Sequence, residues 1–297
     1  MDGRRVTGPL KWHGGKSYLA NWIHSQAPPP GTYTHRNIVF AGGLGEFWNW
    51  HCDDVSETVN DMNGELVNMY RVLRDDEQFA EFRRTVELLP FGNELWLEPP
   101  VGRNGAHENE RLNPNGKKIK SRPGNAWWSA SDVRRAAWFF GRMRTSRQGL
   151  GRDYATPTSR LRRGMNEGVS AYLSAVDGLD ACHERLRRVE IVQMPAVKFL
   201  RVYDHPRAFF YLDPPYLHRT RVAKDARGCE MSEDDHVDLL EALARLKGKF
   251  LLSGYPSDLY DSYAAHHKWQ RAEKEIDNKA SSAETKPKKI EVLWRNY

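Results

Sequence analysis

Two consecutive prolines that follow an unbroken apolar run constrain this chain more than any other feature. Phe209 and Phe210 lead into Tyr211-Leu212-Asp213-Pro214-Pro215-Tyr216. The run from Ala208 to Leu212 is short, apolar and aromatic, the composition of a fully buried strand. Neither proline can donate a backbone hydrogen bond, so the ladder must stop there and Asp213 must stand at the strand's carboxyl end. In an open α/β sheet ligands bind at that end, which places an acid, a stiff corner and an aromatic ring together at the mouth of a cleft.

This grouping suits methylation of an exocyclic amine. Such an amine is a poor nucleophile because its lone pair is delocalised into the ring, and its two hydrogens need acceptors in the right directions. Asp213 and the Pro214 carbonyl can supply both. Accepting those bonds favours a more tetrahedral nitrogen, with its lone pair aimed at an incoming methyl group, while Tyr216 stacks on the plane of the base; positioning and electrostatics carry the chemistry. The bland alternative is an Asp-Pro-Pro turn closing a core strand.

The first sixty residues supply a second cluster of signals. Leu10-Lys11-Trp12-His13-Gly14-Gly15-Lys16-Ser17 ends like a phosphate loop, but such a loop needs a glycine five residues before Gly15, where Leu10 stands, so the cradle of backbone amides is not specified. Asn37 to Phe40 reads as a strand running into Ala41-Gly42-Gly43-Leu44-Gly45-Glu46-Phe47-Trp48. A strand, a glycine turn and a helix make the opening unit of a nucleotide-binding α/β fold, in which glycine lets the backbone approach the ligand. Val55 to Val59 gives the next strand, ending in Asn60-Asp61-Met62-Asn63. A carboxylate there can accept from both hydroxyls of a ribose; the competing role for Asp61 is the N-cap of a helix from Gly64 to Leu73.

Charge is distributed unevenly. From Arg111 to Arg163 there are fourteen Lys and Arg against two acids, Asp132 and Asp153, while the whole chain is only +6. The remainder is therefore net negative, and the basic block is an electrostatic footprint for phosphate backbone. Within it, Ser131 to Arg144 has helical spacing, with Val133, Ala136, Ala137, Phe140 and Met143 on one side and Arg134, Arg135, Arg142 and Arg144 expected to face outward. Arg147, Arg160, Arg162 and Arg163 complete the eight candidates for contact with DNA. The texture from about Pro90 to Arg188 marks an insertion between two halves of one sheet. Later elements are a helix over Val169 to Leu186, a strand over Ile191 to Val197, a helix begun by Ser232 with acids in its first turn, and strands over Lys249 to Tyr255 and Ile290 to Trp294. Lys279 to Lys289 is expected to be a polar loop.

Several classes are disfavoured. Cys52, Cys182 and Cys229 are far apart, which argues against a disulfide framework or a structural zinc site. His51 beside Cys52, and the pair His266-His267, lack partners at ligand spacing, so no metal is expected. No run of about 18 apolar residues is present, nor an apolar segment near Met1 of the secretory kind. The expectation is a cytoplasmic protein with no membrane partner.

Taken in order, Lys11-Trp12-x-Gly14-Gly15-Lys16, Phe40-Ala41-Gly42-Gly43, Asn60-Asp61-x-Asn63, Asp213-Pro214-Pro215-Tyr216 and Glu291-Val292-Leu293-Trp294-Arg295-Asn296-Tyr297 resemble the Dam-like, D12 class of DNA adenine-N6 methyltransferases. In that class the cofactor motifs precede the recognition insert and the Asp-Pro-Pro-Tyr motif follows it. The resemblance implies an α/β, Rossmann-like S-adenosylmethionine-dependent sheet of seven strands, formed by residues 1–89 and 189–297. A mostly helical DNA-recognition insert would occupy residues 90–188. It implies cofactor contacts from Trp12, Lys16, Asp61 and Asp213, with Phe40 and Gly42 of the glycine turn counted with them. It also implies that Asp213, Pro214, Pro215 and Tyr216 hold an adenine flipped out of double-stranded DNA. S-adenosyl-L-homocysteine is the expected product, and a monomer in a bacterial or phage-infected cell the expected setting. Two departures stand out: Ile38-Val39 occupies the place of the family's usual Glu-Pro, and the Phe-Asn-Gly of many recognition segments is missing around Arg144 to Gly149. The competing readings are an RNA adenine methyltransferase and a catalytically silent DNA-binding protein of the same fold.

Overall fold

The computed structural model describes residues 6–50, 53–89, 91–97, 132–155, 160–217, 231–277 and 288–297. Their elements, in chain order, are α1 (Ala20–Ser25), β1 (His35–Ile38), β2 (Ser56–Asn60), α2 (Gly64–Arg74), α3 (Asp76–Leu88), α4 (Glu94–Leu97), α5 (Asp132–Thr145), β3 (Leu161–Arg162), β4 (Met165–Asn166), α6 (Glu167–Asp177), α7 (Leu179–Leu186), β5 (Val189–Val192), α8 (Ala196–Tyr203), β6 (Ala208–Leu212), α9 (Glu233–Ala244), β7 (Lys249–Gly254), α10 (Asp258–His266), β8 (Gln270–Asp277) and β9 (Lys288–Arg295). Seven of the strands form one sheet in the order β5-β2-β1-β6-β7-β9-β8. All its neighbours pair in parallel except β9, which runs antiparallel between β7 and β8. This is the Rossmann-like architecture, and the strand order reverses direction between β1 and β6.

The sheet is covered on both sides, which is why β6 and most of β7 at its centre are apolar. In β6, Phe209 and Tyr211 face a core shared with α2, α3, α5 and α7, while Ala208, Phe210 and Leu212 face α8, α9 and α10. The same alternation continues through Leu251 against Phe250 and Leu252 in β7, and Leu293 against Val292 and Trp294 in β9. The described part of residues 90–188 shares this core: Val133, Ala136, Phe140 and Met143 of α5 belong to the same apolar cluster as Leu66 of α2 and Phe79 of α3.

A buried ionic knot ties β1, β2 and α7 together. Glu57 receives both guanidinium nitrogens of Arg185, at 2.6 and 2.8 Å, and a third bond from Arg36. Both arginines also donate to the Trp50 carbonyl, at 2.7 and 3.1 Å. Burial alone would raise the Glu57 carboxyl, but the two guanidiniums outweigh it and hold it below its ordinary value. The knot anchors the segment from Ala41 to Trp50. That segment is not the helix expected from the sequence but a chain of turns, closed by Leu44 N–H to Ala41, Phe47 N–H to Leu44 and Trp50 N–H to Phe47.

Removing the carboxylate leaves two guanidiniums buried without their counter-charge, so Glu57→Ala is expected to cost about 3 to 5 kcal/mol. A carboxyl held low contributes stability above its unfolded value, and that contribution disappears as pH falls through its folded one. Urea unfolding of both proteins at pH 7 and at successively lower pH checks the size and the direction: the gap between them should close toward acid.

Candidate active site

The Pro-Pro corner ends β6 as the sequence requires, and Asp213 stands at the carboxyl end of that strand, where the strand order reverses. Around it opens a cavity of about 1020 Å³ lined by residues from both halves of the chain, among them Trp12, Lys16, Phe40, Gly42, Glu46, Asp61, Asp213, Pro214, Pro215, Tyr216 and Tyr255. Every residue expected to touch cofactor or base therefore lines one space. The location follows the general rule for open α/β sheets.

Lys16 organises the deep end. It is 4% exposed, and its Nζ lies 2.9 Å from Asp213 Oδ2 and 3.8 Å from Glu291 Oε1; it also donates to the Gly14 carbonyl at 3.1 Å. Burial by itself would lower the Lys16 pKa, but Asp213 and Glu291 together raise it above the ordinary lysine value, so the ammonium stays charged. The same ammonium sits 4.9 Å from the centre of the Tyr216 ring. Tyr216 donates its hydroxyl to Glu291 Oε1 at 2.7 Å, as does Ser253 at 2.7 Å, and Tyr255 packs on the Tyr216 ring at 4.3 Å. Burial, with Asp213 adding to it, raises the Glu291 carboxyl despite Lys16 and the two hydroxyl donors. The Asp-Pro-Pro-Tyr corner is thus held in a fixed posture by groups from the N-terminal loop, β7 and β9.

The glycine turn after β1 is shaped by Trp12. Gly42 has φ +47°, and a Cβ there would lie 2.9 Å from Trp12 Nε1; at Gly43 a Cβ would lie 2.6 Å from the Trp12 Cβ. Asp61 fastens this turn, accepting from Gly42 N–H at 2.9 Å and from Asn63 N–H at 2.8 Å. It is not the helix cap: Asn63 fills that role for α2, accepting from the Glu65 and Leu66 N–H groups at 3.1 and 3.3 Å. The Asp61 side chain also lines the cavity.

The eight arginines singled out for DNA contact divide into two groups. Arg134, Arg147, Arg160, Arg162 and Arg163 are exposed. Arg135, Arg142 and Arg144 do not face outward as helical spacing predicted. Arg135 is 5% exposed and pairs with Glu65 at 2.6 Å. The Arg142 guanidinium lies between the rings of Trp96 and Trp138, 4.1 and 4.6 Å away. Arg144 donates to the Ala171 carbonyl, and burial lowers its pKa to about 10. All three fasten α5 to its neighbours, because a helix packed against α2, α3 and α6 presents more than one buried face. The exposed group includes the β3–β4 hairpin, whose turn residues Arg163 and Gly164 have φ +54° and +72°, the left-handed pair of a tight hairpin turn. The basic residues Arg111, Lys117, Lys118, Lys120 and Arg122 lie outside the described residues, as do His51, Cys52, Cys229 and most of the loop expected over Lys279 to Lys289.

Sequence reasoning missed Glu46, Ser253 and the site role of Glu291. Glu291 carried a signal, being one charge in the otherwise apolar run Ile290 to Trp294, and a charge in a buried strand requires partners. Glu46 carried none. It is 4% exposed and lines the cavity, and its Oε1 has no hydrogen-bond partner among the described residues. Burial, with Asp213 adding to it, pushes its carboxyl up to about 7 against the opposing effects of its own N–H, Lys16 and Arg36. Among the described residues no cluster of three or more His, Cys, Asp or Glu is placed to hold a metal ion, and no helix is long and apolar enough to cross a membrane.

A mostly parallel seven-stranded sheet with one antiparallel strand slotted in, and an Asp-Pro-Pro-Tyr corner at the reversal of strand order, defines a Rossmann-like methyltransferase. More narrowly, the chain belongs to the family of D12 class N6 adenine-specific DNA methyltransferases, whose model matches residues 12–97 and 169–276. The unmatched stretch between them carries the whole basic block, Arg111 to Arg163. No curated protein matches the chain.

A carboxyl whose folded pKa exceeds its unfolded one costs stability as soon as the unfolded chain can ionise, and the cost is complete once the folded one ionises too. Glu46→Gln is therefore expected to leave stability unchanged near pH 4.5 and to stabilise the ligand-free protein by roughly 3 kcal/mol above about pH 7. Denaturant titrations at the two pH values test this; a gain of equal size at both would place its origin in packing rather than charge.

Proposed function

We propose that this protein transfers a methyl group from S-adenosyl-L-methionine to the N6 amine of an adenine extruded from double-stranded DNA. The observation that carries the reading is the posture of Asp213: a carboxylate at the reversal of strand order, held by a buried lysine, beside a stiff Pro-Pro corner and an oriented Tyr216 ring. Membership of the family supports the same chemistry.

The residues present fit the cofactor. Asp61 offers acceptors where a ribose would lie. Phe40, Met62, Pro195 and Leu200 give the cavity an apolar wall, and the unpartnered Glu46 oxygen offers negative charge. Trp12, Lys16, Phe40, Gly42, Asp61 and Asp213 form the binding surface. When bound, S-adenosyl-L-methionine supplies an electrophilic methyl group on a sulfonium and leaves as S-adenosyl-L-homocysteine. This chain's residues do the rest. Asp213 and the Pro214 carbonyl accept the two amine hydrogens and aim the nitrogen lone pair, Tyr216 beds the base, and Pro215 stiffens the corner. Lys16 pairs with Asp213 and holds it at the cavity wall. Fixed dipoles and charges of this kind need no reorganisation during the reaction.

Extruding a base costs a few kcal/mol, and phosphate contacts must hold the distorted duplex meanwhile. Residues 90–188 are the target-recognition segment in this reading. Gln148 and Leu150 bring it to the cavity wall, and the exposed Arg134, Arg147, Arg160, Arg162 and Arg163 offer the positive surface. The protein acts in the cytoplasm as a monomer on DNA.

Asp213→Ala is expected to bind duplex DNA nearly as well as the wild type and to transfer methyl groups several orders of magnitude more slowly, measured with labelled cofactor on unmethylated DNA; near-normal turnover would remove Asp213 from the mechanism.

The two groups of arginines should separate in salt titrations of DNA binding. Arg162→Ala is expected to reduce the slope of log affinity against log salt by about one unit, uniformly across sequences. Arg135→Ala should leave the slope unchanged and lower the melting temperature instead.

A further inference from the structure

Glu46 is a buried acid of the cavity that this mechanism leaves without a task, whereas Asp204, Asp235, Asp238 and Glu241, which also line it, are not buried. Gly45 packs so closely on the Lys16 loop that a Cβ would lie 2.6 Å from Ser17 N, which fixes the next residue, Glu46, against the cavity's deep end. The charged and titratable groups around it are Asp213 and Tyr211 from β6 and its end, Lys16 from the N-terminal loop, Arg36 from β1 and Tyr70 from α2. Both cations are committed elsewhere. Lys16 pairs with Asp213 at 2.9 Å, and Arg36 bonds Glu57 and the Trp50 carbonyl. His24 from α1 meets only the Glu46 main-chain carbonyl, at 2.7 Å. Among the described residues Glu46 Oε1 is therefore a buried acceptor with no partner, on a residue that lines a space that must admit a ligand. Burying such an atom is costly unless something arrives to pair with it.

The chemistry of the missing partner follows from charge. An ammonium or sulfonium brought into the cavity would meet Lys16, a fixed positive charge whose nearest carboxylate is already engaged. A second carboxylate facing the same space offsets that repulsion and gives the incoming cation its own counter-charge. We propose that Glu46 is the counter-ion for the cationic methionine portion of S-adenosyl-L-methionine, and that the cofactor binds with loss of the Glu46 carboxyl proton to solvent. This inference rests on the functional reading above and adds to it a residue that orders the cofactor. It also makes cofactor affinity dependent on pH: empty, the carboxyl is about half protonated at pH 7 because burial disfavours its charge, and the arriving cation reverses that preference.

The test is isothermal calorimetry of S-adenosyl-L-methionine binding to the full-length protein at pH 7, in buffers of low and high ionisation enthalpy. The dependence of observed heat on buffer gives the protons released. The wild type is expected to release roughly half a proton per cofactor bound, and Glu46→Gln none. The variant should bind S-adenosyl-L-methionine about tenfold more weakly at pH 8, with a smaller loss at pH 6, where the wild type must first give up its proton. S-adenosyl-L-homocysteine keeps the ammonium but has a neutral sulfur. Weakening of both ligands by the substitution identifies the ammonium as the partner, and weakening of S-adenosyl-L-methionine alone identifies the sulfonium; either result supports the assignment. Wild-type binding with no proton release, equal release from Glu46→Gln, or unchanged affinity for both ligands overturns it while leaving the functional reading intact. Failure of the wild type to bind S-adenosyl-L-methionine at all overturns both. The wild-type buffer series needs no substitution, so poor folding of the variant cannot mask a negative result.

Discussion

The ion pair between Lys16 and Asp213 joins positions 197 residues apart, 2.9 Å from each other, with the lysine buried and the aspartate partly exposed. Much of the site depends on it. Without the ammonium, Asp213 would face the neighbouring acids Glu46 and Glu291 with no cation between them, and three neighbouring acids in a poorly solvated site cannot all ionise. Without Asp213, a buried lysine would tend to lose its proton. The pair lets the Asp-Pro-Pro-Tyr corner remain charged, rigid and open to a ligand. Its strength comes from exclusion of water, since the same contact at the surface is worth little. A seemingly structural contact is in this way a condition for the chemistry.

What could be read from the sequence follows what kind of force acts at each place. β6 runs from Ala208 to Leu212 as expected, because an apolar run closed by two prolines allows few alternatives. The strand expected over Asn37 to Phe40 lies instead at His35–Ile38. Arg36 and Asn37 belong to it although they are polar, and only the Glu57 knot, invisible in one dimension, makes Arg36 at home there. The helix expected over Val169 to Leu186 is two helices meeting at Gly178. The strand β8 went unread because its Gln, Arg, Glu and Lys residues disguise an edge strand. The strand expected over Ile191 to Val197 stops at Val192, and α8 starts at Ala196 after Pro195.

The candidate site was more legible than the fold around it. Its named residues, from Trp12 to Tyr216, line one cavity because short motifs with fixed chemistry tolerate few substitutes. The supporting residues were less visible. Ser253 and Glu46 act through where the fold brings them, and nothing in their immediate neighbours announces it. The arginines of α5 teach the same lesson from the other side: charge on a helix was read as a sign of solvent, yet Arg135, Arg142 and Arg144 spend their charge on Glu65, two indoles and a carbonyl.

The position of β9 governs the order in which the molecule can be assembled. It lies between β7 and β8, both of which leave the ribosome before it does, and it carries Glu291, which accepts from Tyr216 and Ser253. Until β9 arrives, β8 has no partner in the sheet, and the Tyr216 hydroxyl lacks its acceptor. Long-range pairing of this kind is slow and comes late. A growing chain can therefore display the parallel strands and the Asp-Pro-Pro-Tyr corner before Glu291 arrives to hold the Tyr216 hydroxyl.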